Sequence, residues 1–183
     1  MQGTSGLGAY GSLASFAGVS IGPQGADDMT IGLATLKSRA FITDFIERRD
    51  ILVPLMALES WTEEKVEINA EAYDIEKGSW INEEPGLQLA FSTFESILSI
   101  YDEDSSGLVK ISVSNQSPVL AQQWVSWLVE DLNNSIRDAD IKEAERSIAF
   151  LEEQMESTSL VDMRSILFGL IEQQTEIIML ASV

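Results

Sequence analysis

The sequence of 183 residues has no cysteine and no histidine, and its 11 basic residues stand against 30 acidic ones. Without cysteine there is no disulfide and no thiol chemistry, which suits an oxidising compartment or indifference to redox state. Without histidine, the side chain that titrates near neutrality and most often ligates zinc is missing, so imidazole acid–base chemistry is excluded. The net charge of −19 repels nucleic acid and anionic lipid alike. No nucleic-acid partner is therefore expected. Long apolar runs are missing too: nothing reaches the roughly 18 residues of a membrane span, and the opening MQGTSGLGAY lacks the basic and apolar regions of a signal peptide.

An apolar share of 45% is that of a globular chain, and the length suffices for one sizeable core. The expected organisation is a flexible Gly/Ser/Ala-rich arm over 1–26, in which Leu13, Phe16, Val19 and Ile21 could dock, and a single α/β domain over 27–183. The last residues, IIMLASV, lie inside an apolar pattern with no capping signal, so the chain reads as a piece of a longer protein.

Asp27 or Asp28 can cap a helix carrying Met29, Ile31, Leu33 and Leu36. Ser38 can cap a second helix over 39–49, with Phe41, Ile42, Phe45 and Ile46 on one face. The run LVPLMALESW to Trp61 predicts helix around Pro54, and residues 59–104 carry thirteen acids against two lysines, an acidic surface. Pro85 fits the first turn of a helix through Leu87, Leu89, Phe91, Phe94 and Leu98. Extended runs then follow at 99–101 and 108–114. Ser117-Pro118 is a strong start, serine at the cap and proline in the first turn, for about 39 residues of helix, roughly 58 Å at about 1.5 Å per residue. Leu120, Trp124, Trp127, Leu128 and Leu132 give its first part a broad apolar face. Ile141, Ala144, Ile148, Leu151 and Met155 then narrow to a coiled-coil-like seam that projects beyond the globular body. A break at 157–159 and the spacing of Leu160, Met163, Leu167, Leu170 and Ile177 predict an antiparallel return helix. The fold class expected is α+β, mostly helical, with a small sheet containing a β-hairpin and an extended helical hairpin over about 118–183.

Three patterns invite chemistry, and each has a plainer explanation. Gly6, Gly8 and Gly11 spell the glycine string of a dinucleotide fingerprint, but no strand precedes them to form the turn that would aim a helix at pyrophosphate. DEDSSG, residues 102–107, matches the first half of a calcium loop, yet the twelfth position is Val113 where calcium needs a bidentate glutamate. The same residues suit a tight turn, so a hairpin is expected. Glu63 with Glu67, Glu83 with Glu84 and Glu152 with Glu156 could in principle serve a glycosidase, but they lie in the most polar segments and read as a solvated face. No catalytic residue, cofactor or metal is assigned, and the acceptor-like Asn115 and Asn133 triplets are coincidental.

Several segments, in order, are LASFAGVS (13–20), ATLKSRAF (34–41) with Phe45 and Ile46, GLVKISV (107–113), SPVLA (117–121), Trp124-Val125, Leu128-Val129, Asn133, FLEEQ (150–154), LIEQQ (170–174) and MLA (179–181). Taken together this collinear set resembles the periplasmic domain of bacterial polysaccharide co-polymerases, the O-antigen chain-length determinant (Wzz) family. The resemblance implies an α/β base with a long protruding helix, a fragment lacking two flanking transmembrane helices, and attachment to the bacterial inner membrane facing the periplasm. It implies a homo-oligomeric ring that works with an O-antigen polymerase, either touching the glycan or altering the polymerase's processivity, and it carries over no catalytic residue. A periplasmic coiled-coil adaptor of another envelope export system is the alternative. Arg137, Ile141, Lys142, Ala144, Arg146, Ile148 and Leu151 are the candidate oligomer or helix-pair interface, with pairing inside the helix, Asp138 with Lys142, as the local explanation of the charges.

Overall fold

The computed structural model describes residues 25–62, 65–103 and 108–182. The arm through residue 24, and with it the glycine string, lies outside the described residues. The fold is α+β and mostly helical. Two compact units divide the chain, one spanning Gly32–Leu132 and the other combining the residues up to Ile31 with those from Asn133 onward.

Two helices, α1 (Gly25–Lys37), of which the residues from Gly32 belong to the first unit, and α2 (Arg39–Arg48), meet at Ser38 as the capping pattern predicts. Ser38 is extended, and its Oγ accepts the Phe41 N–H at 3.2 Å, satisfying one of the orphan donors of the α2 N-terminus. Asp27 and Asp28 are not caps, because α1 is already helical at Gly25. At the other end of α2, the N–H of Ile51 bonds the carbonyl of Ile46 and that of Asp50 bonds Glu47. This paired closure needs a left-handed residue, and Asp50 supplies it at φ 49° where glycine is usual. Ile51 is buried beside Ile46, so the closure is reinforced by apolar contact.

The predicted helix through Trp61 stops early. α3 (Leu52–Met56) is a single turn, and the chain then enters β1 (Leu58–Thr62), paired antiparallel with β2 (Lys65–Ile68). A second ribbon, β3 (Tyr73–Asp74) with β4 (Ser79–Trp80), turns through Gly78 at φ 64°. Asp74 holds that turn by accepting the Lys77 N–H and its ammonium. Helix α4 (Leu87–Ile97) starts after Gly86, so Pro85 precedes the helix instead of lying in its first turn. Its core face is Ala90 and Phe94, while Leu87 and Leu89 are exposed. The expected extended runs form β5 (Leu98–Glu103) and β6 (Leu108–Val113), an antiparallel hairpin in continuous register from Leu98 with Val113 to Glu103 with Leu108. Residues 104–107 of DEDSSG lie outside the described residues, but Val113, which a calcium loop would require to be glutamate, is buried in the core. Among the described residues the strands form three separate two-stranded ribbons, not one sheet.

Ser117 then caps α5 (Pro118–Ser157), its Oγ accepting the Leu120 N–H, and Asn115 accepts the Ser117 N–H. Trp124 and Leu128 of α5 complete the core of the first unit with Leu36, Phe41, Ile42, Phe45, Ile46, Ala90 and Phe94. Phe94 bridges Phe45, at 5.4 Å between ring centroids, and Trp124, at 5.9 Å. Such tilted pairs add about 0.5–1.5 kcal/mol each to the burial of the rings. These two contacts tie α2 and α5 to α4.

In the second unit, α5 continues to Ser157 and α6 (Val161–Ala181) returns beside it. Leu151 and Leu167 are buried together, with Met155, Met163, Leu170 and Ile171 packed around them.

Candidate functional site

The candidate interface residues occupy the part of α5 that belongs to the second unit. Ala144 and Leu151 are buried and Ile141 and Ile148 half-buried, the three-and-four spacing that lays one stripe along a helix. Leu151 packs against Leu167, so the stripe serves the helix pair at that level. Arg137, Lys142 and Arg146 are exposed. Lys142 and Arg146, four residues apart, share the face away from the stripe, whereas Arg137 falls in line with Ile141 and Ala144. Among the described residues none of the three makes an ion pair, so the Asp138–Lys142 pairing does not form.

Two buried polar residues on the helical hairpin, Ser147 and Gln174, escaped the sequence reading. Gln174 lies seven residues from Leu167 and seven from Ala181, a seam position in a heptad register. Laying that register along α6 would have exposed it.

The strongest electrostatic feature lies in the first unit, where α2 meets α5. Asp131 is only 2% exposed. Arg49 grips both of its oxygens, Nη2 to Oδ1 at 2.6 Å and Nε to Oδ2 at 3.2 Å, and reaches Glu130 at 2.7 Å. Arg48 approaches Asp131 Oδ2 at 3.4 Å and bonds Asp44 on its own helix at 2.7 Å. The Arg49 guanidinium also lies 5.2 Å from the ring centre of Trp127, four residues before Asp131 on α5. A planar fork that can be both bidentate and stacked is a property of arginine that lysine lacks. The hydrogen bond to Asp131 raises the pKa of Arg49 above its already high value, opposed by burial and assisted by Glu130. With both oxygens of Asp131 held by arginines, this carboxylate is a clamp between helices.

The acidic segment behaves as a solvated surface. Glu83, Glu84, Glu152 and Glu156 are exposed, and Glu63 lies outside the described residues. Glu67 accepts hydroxyl hydrogen bonds from Ser60 and Thr62, which hold its pKa below the ordinary range, and Lys77 does the same for Asp74. Among the described residues no helix is long and apolar enough to cross a membrane. Comparison with protein-family models, with curated proteins and with solved structures finds no match.

Proposed function

We propose that the chain is the periplasmic part of a regulator of surface-polysaccharide chain length, of the O-antigen kind, held at the bacterial inner membrane. In this reading it performs no chemistry. Copies of the chain assemble into a scaffold beside a membrane polymerase and bias how many repeat units are added. The supporting observation is an order of elements: hairpin β5–β6, the Ser117-Pro118 cap, the 40-residue α5 with its narrow seam, and the return helix α6. These elements coincide with the segments that carry the sequence resemblance.

Deletion of the gene should redistribute glycan lengths on a gel without abolishing polymer. Unchanged modal length, or loss of all polymer, would sink the proposal. The helical hairpin alone also favours a second reading, an adaptor of another envelope export system. For an adaptor, deletion should block export of a cargo and leave glycan lengths as they were.

A further inference from the structure

Beside the ribbon β3–β4 lies a cleft of about 400 Å³, walled by Asp50, Tyr73, Ser79, Trp80, Asn82 and Glu84. The cleft is open to solvent along its length, a groove instead of an enclosed cavity. Tyr73 and Trp80 face each other across the ribbon with ring centroids 5.2 Å apart and planes at 76°. Both rings are half-buried, and neither belongs to the apolar core of this unit. An edge-to-face pair uses the face of one ring and only the edge of the other, so ring surface is left over for a ligand. Around the pair stand two carboxylates, an amide and a hydroxyl. Asp50 and Glu84 only accept hydrogen bonds, whereas Asn82 and Ser79 both donate and accept.

We propose that this cleft binds a neutral or amine-bearing glycan segment, with the Tyr73–Trp80 pair as the stacking platform and Asp50, Asn82 and Glu84 as hydroxyl partners. Sugar rings present apolar C–H faces and hydroxyl-lined edges, and this combination of aromatic surface and convergent polar groups answers both. The wall carries no lysine or arginine, and the chain as a whole is at −19, so a uronate or sialylated chain would enter without a countercharge. An adjoining cleft of about 440 Å³ shares Asp50, Leu52 and Glu84 with the first and continues past Pro85, a path suited to a linear polymer instead of a single sugar. Asp50, at the junction of the two clefts, sits in a left-handed conformation that aspartate adopts more readily than most residues and glycine more cheaply still. The plainer role of the aromatic pair is to staple a two-residue ribbon. It accounts for the contact between Tyr73 and Trp80 but not for the polar groups gathered on the cleft wall beside them. The inference rests on the length-regulator reading for its choice of a polymer, and it selects direct contact with the glycan over scaffolding alone.

The test is calorimetric titration of the 183-residue chain with maltohexaose, chitohexaose, chitosan hexamer and oligogalacturonate. Binding of one of the first three, weakened at least tenfold both by Trp80→Ala and by Asp50→Gly, is expected. Asp50→Gly is the informative variant, because relief of the left-handed strain should leave its unfolding midpoint equal to or above that of the parent. Absence of binding by every probe, equal binding by the parent and both variants, or preference for oligogalacturonate would overturn the proposal. In cells, a changed length distribution on deletion but not with Trp80→Ala would remove the cleft and keep the regulator. Unchanged lengths on deletion would remove the regulator, leaving the titration to decide the cleft.

Discussion

Arg49 and Asp131 come from helices 82 residues apart in sequence, and no local pattern announces that they meet. The acidic and basic residues of a strongly charged chain look alike in sequence, and only the fold decides which pair becomes buried. Truncating Asp131 removes the carboxylate that two arginines share, while Arg49 keeps Glu130 and Arg48 keeps Asp44, so Asp131→Ala should cost about 2 kcal/mol, the range of charge-assisted hydrogen bonds instead of a stranded buried charge. Arg49→Lys keeps the charge but gives up the fork and the stack on Trp127, and should cost about 1 kcal/mol. Urea unfolding midpoints at constant slope measure both. If Arg49→Lys proves as stable as the parent, the bidentate geometry contributes nothing. At Asp50 the opposite sign is expected: Asp50→Gly relieves a left-handed aspartate and should stabilise by up to about 1 kcal/mol.

At the scale of elements, helices with caps were legible and short ribbons were not. Ser38 and Ser117-Pro118 mark the starts of α2 and α5 because one hydroxyl answers one orphan N–H, a rule local enough to read from residues alone. The β5–β6 hairpin was legible from alternation. By contrast, β3 and β4 have two residues each, too few to display any period. The only advance sign of their turn was Asp74 followed four residues later by Gly78. The run through Leu55 and Leu58 fits helix and strand equally, and pairing with β2 decides it. That ribbon carries its own test. Glu67, whose pKa Ser60 and Thr62 hold below the usual value near 4.5, contributes stability that is present above the unfolded pKa and lost as pH falls through the lowered one. In Ser60→Ala the Glu67 carboxyl should titrate at higher pH than in the parent, as followed by its side-chain carbon resonance. An unchanged titration would mean that the hydroxyl does not engage it in solution. On α6, Gly169 is exposed within the helix and a Cβ there meets nothing within 4 Å, so Gly169→Ala should stabilise by about 0.5–1 kcal/mol in thermal unfolding.

For the molecule as a whole, charge sets the terms on which copies can associate. Of the 11 basic residues, Arg48, Arg49 and Lys77 form ion pairs within the chain, Arg164 bonds the Thr158 carbonyl and Arg39 lies over Phe91, so fewer remain to face the 30 acids of a neighbour. Lys142 and Arg146, on the face of α5 away from the seam, are free to do so, but two contacts at an exposed surface contribute about 1 kcal/mol or less apiece. Repulsion between chains at −19 each acts over the whole approach, and its range is about 30 Å at 0.01 M ionic strength and about 8 Å at 0.15 M. The long-range term outweighs the local one at low salt. Self-association should therefore strengthen as sodium chloride rises between these concentrations, and strengthen further when magnesium replaces sodium at equal ionic strength. Reversing both Lys142 and Arg146 to glutamate should shift the association curve to higher salt without lowering the unfolding midpoint. Sedimentation velocity across the series reads all three effects. Association that weakens with salt would mean that specific pairs, not net charge, govern assembly, and it would return Lys142 and Arg146 to the centre of the interface.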